Sequence, residues 1–574
     1  MSPAKARDRM ARMKYSVRER SSDIVSDLLA YRGIVTEADR AAFLAPDYDA
    51  HTHDPFLMKG MDLAVERIYR AIKTGERIVI FSDYDADGIP GGVILHDTLK
   101  KLGYTNFENY IPHRHNEGFG LSLKAIEGFA ERGTKLLVTI DCGIGNIAEV
   151  ARANELGIET IITDHHLPHR EDGRDVLPPA YAILDPKQAD CGYPEKMLCG
   201  SGVMYKLVQA LFKKHGEEFG VKPGWEKWYL DLVGIATLSD MVPLVGENRV
   251  FAHYGLKVLR KTARPGLTKL YEKLRLKRDD ITEDDIGFTI TPRINAASRM
   301  GEPEHAFKLL STDDEALADV YADALEHVNN ERKGTVASLV KEIRKLLAER
   351  DVESKKAIVI GNPSWRPSLL GLVANSLAEE YGKPAFLWGR DGDGILKGSC
   401  RSAGNGSVVE IMSGAKEMFR EFGGHAASGG FALLPDSVHM LEDALCKSCE
   451  ALFIEKDEKE SFVDVAITLE DVSWSMYRDI EKLAPYGTGN PKPLFLIRKA
   501  RIGSVKAFGK EKNHTEIIFD DSNGRKISAI RFFFSAENLP SHVTANSTAD
   551  FVVQLEKSTF KRYPELRLRI VDIL

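Results

Sequence analysis

Three short runs rich in β-branched residues constrain this chain more than anything else in it: "RIVIF" at 77–81, "KLLVTI" at 135–140 and "ETIIT" at 159–163. Each reads as a buried strand. The stretches after the first two, "GGVILHDTLKKLGY" and "NIAEVARANELGI", read as helices. Strand and helix in this alternation build a mostly parallel sheet covered by helices. Every one of the strands also runs into acidic residues: "SDYDADG" after the first, "DCG" at Asp141 after the second, "DHH" at Asp164 to His166 after the third. Open α/β sheets bind their ligands at the carboxyl ends of strands. A fourth segment, "WYLDLVGIATLSDMVPL", reads as an apolar helix that ends near Asp240.

The first acidic cluster looks like the opening of a calcium loop, because Asp83 to Gly88 spell D-x-D-x-D-G. That loop needs a bidentate Glu at its twelfth position, where this chain has Ile94, and it needs a helix before it, where this chain has a strand. Residues two apart on an extended chain face the same way, so Asp83, Asp85 and Asp87 can point together. If each strand end feeds one crevice, the candidate ligands are Asp85, Asp87, Asp141, His165 and Asp240. Four carboxylates and one imidazole form a hard, oxygen-rich set that favours Mn²⁺ or Mg²⁺ over zinc. Carboxylates so crowded repel strongly unless cations neutralise them. Two divalent ions about 4 Å apart, one carboxylate bridging, would do so, and such a pair activates water and steadies a phosphoryl transition state. His166, next to the ligand His165, is then free to contact the phosphate. A lone strand-end aspartate is more often a helix cap; four such clusters together point to metal.

Length and composition fit this reading. A chain of 574 residues holds two to four domains, and 43% hydrophobic with 28% charged residues is ordinary for a soluble protein. No stretch approaches the roughly 20 apolar residues of a membrane span, and the basic N-terminus lacks the apolar segment of a secretory signal. Six cysteines make no disulfide scaffold, and cytoplasm is the expected location. Cys446 and Cys449 have no second pair at zinc spacing and read as buried thiols. The net charge of −7 argues against a nucleic-acid partner until its distribution is read: Lys492 to Leu574 carries 15 Lys and Arg against 9 Asp and Glu. A basic module on an acidic body fits a polyanion partner.

Beyond the first third, Asp313 to Arg350 reads as a long connecting helix without the regular heptads of a coiled coil. A second α/β pattern follows from about Lys355, with "AIVIG" as a strand, "LLGLVANSLAEEYG" as a helix and "FGGHAASGGFAL" as a glycine-rich loop entering a strand. From about Ser461 the chain turns to short strands broken by Gly, Asn and Pro, the pattern of a small β-barrel.

The motifs "DYDADG", "TIDCGI", "TDHHLP", "SDMVPL", "PRINAASRMG", "GSCRS", "FGGHAASGGF" and "LAPYGTGNPKPLF", in this order, resemble the DHH phosphoesterase superfamily and, within it, the RecJ single-strand exonucleases. The resemblance runs almost end to end. It implies an α/β fold in which a DHH parallel-sheet domain and a DHH-associated α/β domain are joined by a long helix and followed by an OB-fold barrel. The expected boundaries are 1–310 for the N-terminal segment with the catalytic domain, 311–352 for the helix, 353–458 for the associated domain and 459–574 for the barrel. The implied activity is 5′→3′ degradation of single-stranded DNA to nucleoside 5′-monophosphates, with Mn²⁺ or Mg²⁺, in repair and recombination. Asp85, Asp87, Asp141, His165 and Asp240 carry over as ligands, Asp83 and Asp164 as supporting carboxylates, and His166 as the group at the scissile phosphate.

Substrate groups follow from the same resemblance. Arg114 in "IPHRHNEGFG" and Ser399 with Arg401 in "GSCRS" resemble the pocket for the 5′ phosphate, a task suited to bidentate guanidinium groups. Arg293, Asn295 and Arg299 resemble strand-contacting residues; the ordinary alternative for each arginine is an ion pair. Gly424 and His425 belong to the motif where backbone approaches nucleic acid. Phe119 can stack a base or pack in the core. In the barrel, Phe560 to Tyr563, with Lys561 and Arg562, are expected contacts, whereas Phe532 and Phe534 read as barrel core. Ser298, Pro90 and "WRPSLLG" depart from the family pattern in loops, not in ligands. The expected partners are 5′-phosphorylated single strands, single-strand-binding protein and a RecQ-type helicase, with no membrane and a monomeric chain. The alternatives are a DHH phosphodiesterase of short oligonucleotides or nucleoside bisphosphates, which would lack the barrel, and a non-catalytic single-strand scaffold, which would lack ligands.

Overall fold

Five parallel strands carry the first half of the protein: β1 (Arg77–Ser82), β2 (Phe107–Tyr110), β3 (Thr134–Ile140), β4 (Glu159–Thr163) and β5 (Ala182–Leu184). Their order is β2-β1-β3-β4-β5, every pair parallel. The chain leaves β1 toward β2 and then returns to the other side of β1 as β3, so the carboxyl ends of β1 and β3 flank a topological switch point. The sheet is buried on both faces, as a parallel sheet must be. Ile78 and Ile80 pack on one side with α1 (Gly88–Lys101), while Val79 and Phe81 pack on the other with Phe129 of α2 (Leu123–Glu131). The helices α3 (Ile147–Glu155), α4 (Gly200–His215), α5 (Leu230–Ser239) and α6 (Thr291–Met300) complete the layers around it.

The computed structural model describes residues 15–21, 23–404, 406–452, 461–509, 512–559 and 563–574. It divides into two units, Asp47–Ile454 and a second made of Met1–Pro46 with Glu455–Leu574. Within the first, α7 (Glu315–Ala348) is the expected connecting helix, about 51 Å long at 1.5 Å per residue. Asp314 caps it by accepting from the N–H groups of Ala316 and Leu317. Its first half buries Ala322 and Leu325 in the catalytic core, and its second half buries Leu339, Ile343 and Leu347 in the associated domain. It therefore needs no heptad seam.

The associated domain has five strands, β6 (Ile358–Gly361), β7 (Ala385–Arg390), β8 (Leu396–Arg401), β9 (Phe419–Gly424) and β10 (Ser428–Leu433), in the order β9-β10-β8-β7-β6. Helix α8 (Pro367–Tyr381) crosses from β6 to its parallel neighbour β7. "FGGHAASGGFAL" is not a loop entering a strand: its two halves are antiparallel strands, joined by His425 to Ala427. In sequence, glycines this dense have the composition of a loop. They are needed where backbones press together: Gly424 has φ 137°, and a Cβ there would lie 2.4 Å from the Ser428 carbonyl oxygen.

The second unit is a barrel of β11 (Val465–Ile467), β12 (Phe495–Phe508), β13 (His514–Asp520), β14 (Lys526–Arg531), β15 (Thr548–Ser558) and β16 (Glu565–Ile573). The order β11-β12-β13-β14-β16-β15 closes through β12–β15 pairing. The long β12 pairs with β15 over its first half and β13 over its second, shifting register near Ile502. The N-terminal segment does not pack with the catalytic block as expected: Ile24, Leu28, Leu29 and Phe43 lie in the barrel core with Phe495, Phe519 and Phe551. Phe532 and Phe534 are not core residues either: both follow the end of β14, half-buried on either side of the exposed Phe533. Cys446 and Cys449 are free, buried thiols on one helix, as expected. Among the described residues no helix is long and apolar enough to cross a membrane.

Candidate metal centre and comparison with known proteins

The strand ends form a row. The Asp83 N–H donates to the Ile140 carbonyl at 3.0 Å, that of Asp141 to Thr163 at 2.9 Å, and that of Asp164 to Leu184 at 3.0 Å. Each acid that ends a strand is thus hydrogen-bonded to the last carbonyl of the next strand, and Asp185 follows β5 at the far end of the series. Ladder spacing sets these acids side by side. The turn after β1 is held by its own acids: Asp85 Oδ1 accepts from the Asp87 N–H at 2.7 Å and the Gly88 N–H at 3.2 Å. Asp87 caps α4, accepting from the N–H groups of Gly200 at 2.6 Å and Ser201 at 2.7 Å. A helix N-terminus favours a carboxylate there. Asn295 reaches over from α6 and accepts from the Ala86 N–H at 2.8 Å, so it braces the acidic turn.

His165 lies at the centre. Its Nε2 is 3.2 Å from Asp141 Oδ1 and 3.7 Å from Asp87 Oδ2, and its Nδ1 is 3.8 Å from Asp240 Oδ2. Ligand atoms of three groups come within 4.8 Å of one another: Asp83, Asp85 and Asp141; Asp87, His165 and Asp240; Asp141, His165 and His166. Asp141 has φ 61°, a left-handed backbone that turns its side chain back toward the cluster. Close packing fixes it: a Cβ on Gly200 would lie 2.5 Å from Asp141 Cβ.

The electrostatics are those of crowded, buried acids that lack a neutralising cation. Burial, then the charges of neighbouring acids, raises the Asp83 and Asp141 carboxyls well above the carboxylate range and carries Asp87 to about 6 and Asp240 to about 8. Burial, then the charges of His166 and Lys187, holds His165 neutral with a pKa of about 3. Asp83 Oδ1, Asp141 Oδ1 and His165 Nδ1 are buried without hydrogen-bond partners. Orphaned hard oxygens around a neutral imidazole fit Mn²⁺ or Mg²⁺. Asp164 differs. It accepts from the N–H groups of Ile144, His165 and His166 and pairs with His166 Nδ1 at 2.7 Å. Burial opposes its charge, but the His166 hydrogen bond and charge outweigh it and bring it to about 2. Burial also opposes the His166 charge, and the bond to Asp164 overcomes that, raising the imidazole to about 9.

Arg114, Arg299 and Arg401 form a second feature. Burial, then the charges of Arg114 and Arg401, lowers Arg299 to about 9. Arg299 Nη1 donates to the Ser368 carbonyl at 2.9 Å across to α8, Arg114 lies 4.7 Å over the Tyr84 ring, and Arg401 donates to its neighbour's carbonyl at 2.7 Å. None of the three has a carboxylate partner among the described residues. Ser399, two residues before Arg401 on β8, is half-exposed on the same side of the strand. Arg293 does not join them: buried, it pairs with Glu326 at 2.7 Å and donates to the Thr289 carbonyl. Gly424, the last residue of β9, and His425, the first of the turn after it, are both exposed. Lys561 and Arg562 fall outside the described residues.

Phe119 is 55% exposed and edge-on to His166 at 5.5 Å, so the core alternative fails. Sequence reading missed three other neighbours. Leu167 and Met241, 66% and 71% exposed, directly follow His166 and Asp240 and put apolar side chains at the rim. Lys187, two residues beyond Asp185, is half-buried without an ion pair among the described residues, and its field reaches His165, Asp185 and Asp240. The only signal for it was its place just beyond β5, a strand too short to read in sequence.

Residues 77–237 match the DHH family, N-terminal domain; residues 354–451 match the DHHA1 domain; residues 463–572 match the RecJ OB domain. The chain is 32% identical to the single-stranded-DNA-specific exonuclease RecJ of Salmonella typhimurium over 456 residues, 76% of this chain and 78% of that one. The chain belongs to the RecJ family. Its Bacillus subtilis RecJ relative is 36% identical over 499 residues, 86% of this chain but 61% of that protein's length. The RecJ of Thermus thermophilus in complex with Mn²⁺ superposes with a TM-score of 0.77 at 28% identity, covering 96% of this chain and 76% of that one. A Mg²⁺ complex of that RecJ gives 0.73 at 25% identity, covering 98% and 78%.

Proposed function

We propose that this chain is a metal-dependent exonuclease that removes nucleotides from the 5′ end of single-stranded DNA as 5′-monophosphates. One observation carries the reading: a row of strand-end acids with orphaned buried ligand atoms stands beside three arginines that have no carboxylate partner among the described residues. Asp85, Asp87, Asp141, His165 and Asp240 would hold two divalent ions, Mn²⁺ or Mg²⁺, which supply an ionised water and neutralise phosphate charge. Asp83 supports Asp141 from the neighbouring strand end, and Asn295 steadies the turn that carries Asp85 and Asp87.

His166 is the protein's own cation at the reaction. With Nδ1 committed to Asp164, its other nitrogen is free to donate to an oxygen of the scissile phosphate, where negative charge builds. Arg114, Arg299 and Arg401, with Ser399, hold the terminal phosphate. A fixed terminal anion sets which phosphodiester meets the acids, and that gives polarity. Arg293, spent on Glu326, supports the helix that carries Asn295 and Arg299 and has no direct part. The cellular setting is that of the family resemblance: a cytoplasmic monomer in repair and recombination, working on strands opened by a RecQ-type helicase and covered by single-strand-binding protein.

The test uses single-stranded DNA labelled at either end, with Mn²⁺, Mg²⁺ or chelator. Stepwise metal-dependent loss from the 5′ end is expected. Cleavage of di- to pentanucleotides with long strands left whole would replace this reading by the short-oligonucleotide one. No cleavage in any metal would leave a scaffold.

A further inference from the structure

We propose that Lys187 holds the phosphate next downstream of the scissile one, so that the DNA crosses the catalytic sheet from the β1 end toward β5. This rests on the nuclease reading and adds the course of the DNA through the site. The arginines stand on one side of the acids: Arg114 lies over the ring of Tyr84, which follows Asp83 at the end of β1. Lys187 stands on the other side, just past the end of β5. In the order β2-β1-β3-β4-β5, β1 and β5 are three strand spacings apart, roughly 14 Å. The candidate ligands Asp141 and His165 follow β3 and β4, the two strands between. A 5′ phosphate at the arginines and a scissile phosphate over those ligands leave the next phosphate on the β5 side.

The turn that carries Lys187 is held at each step. The Asp164 N–H donates to the Leu184 carbonyl at 3.0 Å, which ties the end of β5 to the row of acids. Asp185 Oδ1 accepts from the Lys187 N–H at 2.7 Å, and Arg170 donates to the Lys187 carbonyl at 3.3 Å. The Gln188 side chain donates to the carbonyls of Ile183 at 3.2 Å and Asp185 at 3.1 Å. Asp185, Pro186 and Gln188 are buried, so Lys187 is the one residue of the turn that reaches solvent. It makes no ion pair among the described residues, yet its charge acts on His165, Asp185 and Asp240. A fixed backbone thus presents an unspent ammonium at the edge of the acids.

Charge balance says what such a cation serves. Asp85, Asp87, Asp141 and Asp240 are neutralised by two divalent ions. Asp164 is paired with His166, and Asp83 lies at the far end of the row, where the charge of Arg114 acts on it. Asp185 spends Oδ1 on the Lys187 backbone, and burial raises it to about 7, so near neutral pH it is only partly charged. With the ions in place, the anion left for the ammonium is a phosphate of the DNA. The residue type suits the task. Guanidinium groups fix a terminal phosphate by two bonds at once, whereas a compact charge on a flexible stem can follow a backbone that must advance after each cut.

The experiment follows removal of the first nucleotide from a 5′-phosphorylated oligothymidylate by the full chain in Mn²⁺. The second internucleotide linkage is either natural or replaced by an uncharged methylphosphonate. In the unaltered protein the replacement should lower kcat/KM roughly 5- to 12-fold, between the value of an exposed ion pair and that of a hydrogen bond to a charged group. In Lys187→Ala the natural DNA should already have lost that much, and the replacement should then cost less than twofold, because the charge and its partner act as one coupled pair. Lys187→Gln, which keeps the stem, should behave as Lys187→Ala does, and Lys187→Arg should keep the full penalty. With the methylphosphonate at the fourth linkage instead, the unaltered protein and Lys187→Ala should show equal penalties. A penalty at the second linkage that persists undiminished in Lys187→Ala overturns the inference and leaves Lys187 a counter-charge for Asp185. So does a penalty below twofold in the unaltered protein. If the unaltered protein cuts neither DNA, the nuclease reading itself fails.

Discussion

Asp164 holds His166 through a 2.7 Å bond to Nδ1 while accepting three backbone N–H groups, so a saturated carboxylate keeps the neighbouring imidazole charged. The pair makes a pH prediction with a definite sign. The His166 pKa is raised from 6.5 to about 9, so the pair's stabilisation is complete below 6.5 and is lost as pH rises through 9. The Asp164 pKa is lowered to about 2, so its contribution is present above about 4 and is lost as pH falls through 2. Asp164→Asn should lower kcat about 10- to 100-fold and move the alkaline limb of the rate profile from near 9 toward 6.5. An alkaline limb that stays in place would separate His166 from the chemistry.

For the metal-free protein, the metal cluster predicts a pH trend opposite to that of Asp164. Asp87 and Asp240 have pKa values raised to about 6 and about 8, so the folded state holds protons that the unfolded chain releases near 4. Stability in chelator should therefore fall as pH rises from about 4 to 8. Mn²⁺ at a hundred times its Kd should restore about 2.7 kcal/mol. Thermal melts across pH, with and without Mn²⁺, check both; stability in chelator that rises over this window would contradict the repulsion argument.

Asp141 faces repulsion from four other acids, Asp87 first among them. Asp141→Ala should abolish hydrolysis with strand binding largely kept. In chelator it should not lower Tm, because a buried acid crowded by its neighbours is removed. Retained hydrolysis would sink its place as a metal ligand.

Gly200 is where packing and chemistry meet. Gly200→Ala would press a methyl against Asp141 at 2.5 Å, with the N-terminus of α4 unable to retreat because Asp87 caps it. A cost of about 1–3 kcal/mol is expected, together with weaker Mn²⁺ binding by calorimetry. Normal metal affinity would show that the site can relax.

Arg401→Ala should blunt the preference for a 5′-phosphorylated end, measured as the ratio of kcat/KM for strands with and without that phosphate. Arg293→Ala, which breaks the pair with Glu326, should lower Tm and leave the ratio unchanged. If Arg293→Ala changed the ratio and Arg401→Ala did not, the pocket would have to be redrawn.

Much of this protein was legible in one dimension because period and position carry meaning there. Runs such as "RIVIF" mark strands, acids directly after them mark the ligand-binding end of a parallel sheet, and residue type alone argues for hard cations. The parallel sheet, the long helix, the barrel and the five candidate ligands follow from that local information. Glycine is ambiguous in sequence, since loops and pressed-together strands both require it; hence the β9–β10 hairpin looked like a loop. Phenylalanine is ambiguous as well, and only the end of β14 decides that Phe533 leaves the core. Tertiary structure alone brought Arg299 to Ser368, spent Arg293 on Glu326, set Lys187 beside the acids, and packed Ile24 to Phe43 into a barrel hundreds of residues away. The reason is physical: a side chain's role depends on what occupies its neighbourhood after folding, and contacts between residues far apart leave no period in the sequence.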